Sequence, residues 1–219
     1  MPRLNEMGNK VARHLLIVVS ALTLIAFVVL AEAVMRGATV QWDNAARALV
    51  HKAAGSYLTS LAITASNFGR LLVLIPATAA ILCWLLLVRW KASAIALGTT
   101  MGGALLLNWV LKAAVHRVRP LPYFGVDPES LSFPSGHVFF AVSFYGAICL
   151  VLARHRKLSP LVVTFCTLLV GAIAWSRVYL GVHYPTDVAA GFLIGVFWLC
   201  VLVVSGLFSL KHSNCQSSE

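Results

Sequence analysis

His183 and Asp187 stand four residues apart in a chain that holds only seven acidic residues among 219. A carboxylate at that spacing can accept a hydrogen bond from one ring nitrogen, which fixes the tautomer and leaves the other nitrogen ready to attack an electrophile. Just upstream, Ser176-Arg177 closes an apolar run, and Arg177 adds a fixed cation. Pro134-Ser135-Gly136-His137 opens another run. Unused backbone N–H groups and the positive helix end make such a mouth an anion site; Gly136 permits close approach, and His137 sits just inside. The segment from Lys112 to Pro120 places Lys112 and Arg119 seven residues apart. That is about two helical turns, so both share a face if the helix continues that far, with Pro120 ending it. Arginine offers phosphate a planar fork, and lysine a mobile point charge.

Three cations, a helix N-terminus, two histidines and an orienting carboxylate make up the set. A phosphate ester dianion needs charge neutralisation, a nucleophile and an acid for the leaving oxygen, and every part is supplied. The seven acids are scattered and the five cysteines lack zinc-type spacing, so neither a metal nor another cofactor is expected.

These residues need elements to hold them. The chain is 60% hydrophobic and 11% charged, against about 45–50% and about 25% for soluble domains. Its mean hydropathy is +0.88. The apolar residues form long runs, which names lipid as the solvent for most of the surface. Six runs are long enough to cross a bilayer: Leu15–Met35, Leu71–Val88, Ala92–Leu111, Val138–Ala153, Pro160–Trp175 and Thr186–Leu207. The expected fold is all-α, a six-helix membrane bundle in one domain spanning 1–219, with its motif core at 112–187. Between the first two spans, Leu49, Ala53, Tyr57 and Leu61 recur every four residues, the pattern of one short interfacial helix. The first run is too long for a signal peptide and is read as an uncleaved helix. Cys83, Cys149, Cys166 and Cys200 lie within runs and Cys215 in the polar tail, so no disulfide framework is expected.

Nine basic residues (Arg3, Lys10, Arg13, Arg89, Lys91, Arg154, Arg156, Lys157 and Lys211) fall on one side of this topology. The positive-inside rule makes that side, with both termini, cytoplasmic in a multi-pass plasma (inner) membrane protein. The other eight fall outside, four of them crowded into Lys112–Arg119 and Ser176–Arg177. Basic residues that defy the rule there imply a bound anion. The net charge of +10 is spread in clusters between spans, so nucleic-acid binding is not expected.

The three segments resemble the signature of the type 2 phosphatidic acid phosphatases, Lys-x6-Arg-Pro, Pro-Ser-Gly-His and Ser-Arg-x5-His, a superfamily that includes vanadium haloperoxidases and glucose-6-phosphatase. The resemblance implies a membrane lipid phosphatase of the bacterial branch, acting extracytoplasmically on the phosphatidylglycerol phosphate, phosphatidic acid or undecaprenyl diphosphate class. It implies that His183 forms a phosphohistidine and Asp187 orients it. By the same resemblance His137 protonates the leaving group and then activates water, while Lys112, Arg119, Ser135, Gly136 and Arg177 hold the phosphate. Val138, where a small or hydroxyl residue is usual, and the short stretch between Pro120 and Pro134 depart from the pattern without touching the chemistry.

Other residues read as structural. Arg117 is expected to be an interfacial anchor and His116 to face water or headgroups. Gly191, Gly195, Gly98, Gly102 and Gly103 are expected to allow close helix packing. Glu32 reads as an interfacial residue and Asn108 as a bridge between helices. Two competing functions remain in view: a phosphotransferase that passes the phosphoryl group to a hydroxyl, and an anion transporter. A haloperoxidase is disfavoured by the lipid-facing composition.

Overall fold

In lipid no water can satisfy an open backbone, so a chain of this hydropathy must close its hydrogen bonds within helices. The computed structural model describes residues 2–124 and 131–208, with side chains from Lys10 onward; Lys211, Cys215 and the Arg3 side chain, counted above, lie outside the described residues. Among the described residues every regular element is a helix: α1 Pro2–Met35, α2 Val40–His51, α3 Ser56–Asn67, α4 Leu71–Leu87, α5 Lys91–Val115, α6 Gly136–Arg154, α7 Pro160–Tyr179 and α8 Pro185–Val204. Helices α1, α5, α6, α7 and α8 are each long and apolar enough to cross a membrane. The pair α3 and α4, bent by 43°, passes the same test only when taken together.

That break corrects the expectation of one interfacial helix between the first two spans. The segment forms two helices, separated at Lys52–Gly55, and α3 meets α4 at a 43° bend. Ala62 of α3 packs on Tyr179 and Leu180 at the end of α7. The break itself lies at Phe68-Gly69-Arg70. A Cβ on Gly69 would stand 2.8 Å from Ile173 Cγ2 and 3.2 Å from the His137 carbonyl, so glycine lets the break press on α6 and α7. Tyr145 donates to the Phe68 carbonyl at 3.0 Å, meeting an acceptor exposed there.

Helix α2 is inverted relative to a soluble amphipathic helix. Asp43 and Arg47 are buried, whereas Trp42 and Leu49 are more than half exposed. The four-residue series Leu49, Ala53, Tyr57, Leu61 runs over two helices and faces outward. In a lipid environment the outward side of a helix is the apolar one, and the charges turn inward to find partners.

Helix α6 is the centre of the bundle. Its Phe139, Phe144 and Ala147 join a core with Leu97, Met101 and Ala104 of α5 and Ala190 and Ile194 of α8. Gly191 and Gly195 bring α8 against α6, since Cβ atoms there would lie 2.6 Å from the Ser135 carbonyl and 2.7 Å from Val142 Cγ1. On α5 only Gly103 serves such packing, against the Trp198 ring; Gly102 faces open space and Gly98 has room for a methyl group.

Candidate active site

The two ends of the loop that carries His183 are fixed by local chemistry. Ser176 and Arg177 lie in the last turn of α7. Gly181 then turns the chain at φ +76°, where a Cβ would also strike the Tyr123 backbone nitrogen at 2.7 Å. Pro185 starts α8 at its first position, and Asp187 in the first turn accepts from the Tyr184 N–H at 2.9 Å. The cap therefore aims the same carboxylate at His183, whose Nδ1 lies 3.3 Å from Asp187 Oδ2.

Arg119 settles the tautomer. One of its nitrogens lies 2.8 Å from His183 Nε2 and donates to the Val182 carbonyl at 2.8 Å. A guanidinium can only donate, so Nε2 must be the acceptor and the proton sits on Nδ1, facing Asp187. His183 is fully buried. Burial, and then the charges of Arg119, Arg177 and Lys112, hold its pKa well below 6.5. The ring is thus neutral at pH 7, with a lone pair on Nε2.

The cations converge, though not as the spacing suggested. Helix α5 stops at Val115, where His116 adopts a left-handed conformation at φ 50° and donates its N–H to the Lys112 carbonyl. Lys112 is therefore helical and Arg119 lies on the following loop, so they do not share a helix face and Pro120 is not the terminator. Both still line one cavity of about 270 Å³, which Arg70, Asn108, Gly136 and His137 also line. Lys112 Nζ donates to the Leu131 carbonyl. Arg177 reaches Ser66 Oγ of α3, while its Nε, Ser135 Oγ and Asn108 Oδ1 are buried with no hydrogen-bond partner among the described residues. Asn108 thus does not bridge helices. Ser135 is anchored by its backbone, its N–H donating to the Asp187 carbonyl at 2.9 Å. A larger cavity of about 380 Å³ between α6, α7 and α8 is lined by apolar residues and holds none of these groups.

Arg117 overturns its expected role. Instead of anchoring at the interface it is clamped, partly buried, between two buried carboxylates, 2.7 Å from Asp187 Oδ1 and 2.7 Å from Asp43 Oδ2. Asp43 also accepts from the Thr186 N–H at 3.1 Å and from its hydroxyl at 2.7 Å. The Tyr184 ring covers the guanidinium, its centroid 4.0 Å from Cζ. Asp187 therefore faces His183 with one oxygen and Arg117 with the other, and α2 supplies the second carboxylate. Arg47, one turn on, donates to the Leu121 and Gly181 carbonyls at 2.8 and 3.0 Å, tying α2 to both loops. Asp43 was missed in the sequence, where an aspartate in an interfacial segment carries no motif. His116 is exposed as expected, and Glu32 pairs with Arg36 at 2.5 Å on the surface.

A bundle that crosses the membrane with about six helical segments and rings a carboxylate-held histidine with basic groups is a membrane phosphatase scaffold. The chain belongs to the PAP2 superfamily, whose family model matches residues 93–209. It is 31% identical over 177 residues to phosphatidylglycerophosphatase B of Bacillus subtilis, covering 78% of this chain and 86% of that one. It is 33% identical over 153 residues to undecaprenyl-diphosphatase of Sulfolobus acidocaldarius, covering 67% and 69%. The crystal structure of a transmembrane PAP2-type phosphatidylglycerolphosphate phosphatase from Bacillus subtilis superposes with a TM-score of 0.74 at 28% identity, over 85% of this chain and 94% of that one. The chain is a multi-pass membrane lipid phosphatase.

Proposed function

We propose that this enzyme hydrolyses a lipid phosphate or diphosphate at the extracytoplasmic face through a phosphohistidine on His183. The observation that carries the proposal is the pair of contacts at that ring, Asp187 on Nδ1 and Arg119 on Nε2. Substrate phosphate draws the Arg119 guanidinium onto its own oxygens and uncovers Nε2. Lys112, Arg177, Ser135 and the Gly136 N–H take the remaining phosphate oxygens. Nε2 attacks phosphorus, the bond from phosphorus to the lipid oxygen breaks, and His137 gives that oxygen a proton. The imidazolium formed at His183 is balanced by Asp187, whose charge is held in place by Arg117. His137, now neutral, takes a proton from water; the water oxygen attacks phosphorus, the P–N bond breaks, and inorganic phosphate leaves.

The substrate class is that of the similar enzymes: phosphatidylglycerol phosphate, phosphatidic acid or undecaprenyl diphosphate, each with a tail that stays in the bilayer. The cytoplasmic placement of both termini follows from the nine basic residues on that side, and the whole of 1–219 acts as one domain. The test is phosphate release by purified protein in EDTA across a panel of lipid phosphates. His183→Ala should abolish release. A variant with full turnover would sink the mechanism and favour anion transport, and phosphorylated acceptor in place of inorganic phosphate would favour a phosphotransferase.

A further inference from the structure

Arg70 belongs to none of the three motifs, yet it lines the cavity that holds Lys112, Arg119 and His137. Its position is set by the break between α3 and α4. Gly69 packs on the His137 carbonyl and on Ile173. Ile173 lies six residues before the end of α7, which puts the break about 9 Å below that end. An arginine at such depth that served only as an anchor would extend toward headgroups. This one, although exposed, lines the cavity, and Asn67 Oδ1 accepts from it at 3.2 Å.

The side of the cavity matters. Arg119 stands at His183 Nε2, where the transferred phosphoryl group must bind. Arg70 stands by His137, the group placed at the leaving oxygen. In the reading above the phosphoryl group meets Lys112, Arg119 and Arg177, and among the described residues no acidic residue lines the cavity wall. A fourth cation on the leaving side has no function for a leaving alcohol, which departs neutral once protonated. It has one for a leaving group that carries negative charge.

We propose that Arg70 forms a second anion subsite, which binds the tail-side phosphate of a lipid diphosphate. This rests on the phosphatase reading above. Nε2 of His183 attacks the terminal phosphorus, the bond to the bridging oxygen breaks, and its electron pair stays on that oxygen. The product that leaves is the lipid monophosphate, its charge met by Arg70, with His137 supplying a proton where the oxygen takes one. A substrate with this chemistry is made by a reaction that leaves a diphosphate on a lipid alcohol.

The experiment compares farnesyl diphosphate with farnesyl monophosphate in detergent micelles, reading the ratio of kcat/KM for the two. Arg70→Gln should lower the ratio at least about tenfold, the size of one charge-assisted hydrogen bond. Arg70→Lys should keep most of it. A ratio that stays within about twofold in Arg70→Gln, including an equal loss on both substrates, overturns the subsite. So does a wild-type enzyme that cleaves only the monophosphate. Release from neither farnesyl substrate nor the lipid panel overturns the phosphatase reading itself, and the subsite with it.

Discussion

Replacing Arg117 by alanine should strip the counter-charge from two carboxylates at once. Asp43 and Asp187 are fully buried and Arg117 is itself only 11% exposed. Removing one partner of a buried ion pair costs about 3–5 kcal/mol, because the other charge is left in low dielectric. Against a stability of about 5–15 kcal/mol that is a large fraction. Asp43→Ala should cost less than Arg117→Ala, since Arg117 keeps Asp187. The double variant should fall short of the sum by about 0.5–3 kcal/mol, the coupling expected for residues in contact. Reversible unfolding in mixed micelles gives all three values, and phosphate release on the same samples shows whether Asp187 still orients His183. If Arg117→Ala lost no more than about 0.5 kcal/mol, as at a surface site, or if the two costs simply added, the buried network would be refuted.

Asp187→Asn keeps the side-chain shape but presents an amide that can hold the wrong tautomer of His183; kcat should fall about 10³–10⁴-fold, and a loss under tenfold would separate Asp187 from the chemistry. His183 should titrate below the usual imidazole range, because burial and the neighbouring cations hold its pKa down; protonation then costs activity only as the pH falls through that lowered midpoint. Ring NMR in micelles reads this directly, and Arg119→Gln should move the midpoint upward by removing the nearest positive charge. Gly191→Ala drives a methyl group to 2.6 Å from the Ser135 carbonyl, so it should lower stability by about 1–3 kcal/mol. Gly102→Ala, which meets open space, should instead be neutral or stabilising by up to about 1 kcal/mol in the same unfolding assay.

The spans and the three motifs were legible because each is a local pattern: an apolar run, a proline before a helix, a carboxylate one turn from a histidine. The partnership of Arg117 with Asp43 was not, since 74 residues separate them. The four-residue apolar series from Leu49 to Leu61 did mark an outward face, but its regular spacing ran across Lys52–Gly55, so it hid the break between α2 and α3. The error over Arg119 has a smaller cause. Nothing before Pro120 forbade the helix from continuing, and His116, one of the residue types that tolerates a left-handed conformation, ended it four residues early. The motif spacing survived that error because the loop returns Arg119 to the histidine. Chemistry here is encoded by which residues are present, and the route between them is settled by tertiary contacts.

The inward charges of α2 also set an order of assembly. Asp43 and Arg47 leave the ribosome before any of their partners, among which Arg117, Leu121, Gly181 and Thr186 lie far downstream. Until those are made, α2 can hide neither charge and must wait at the aqueous boundary while α3 to α8 enter the lipid. Closure of α2 over the loops is then a late step, reached only when the segment bearing His183 is already in place. A chain cut short before α8 lacks Thr186 and with it two of the hydrogen bonds that Asp43 accepts.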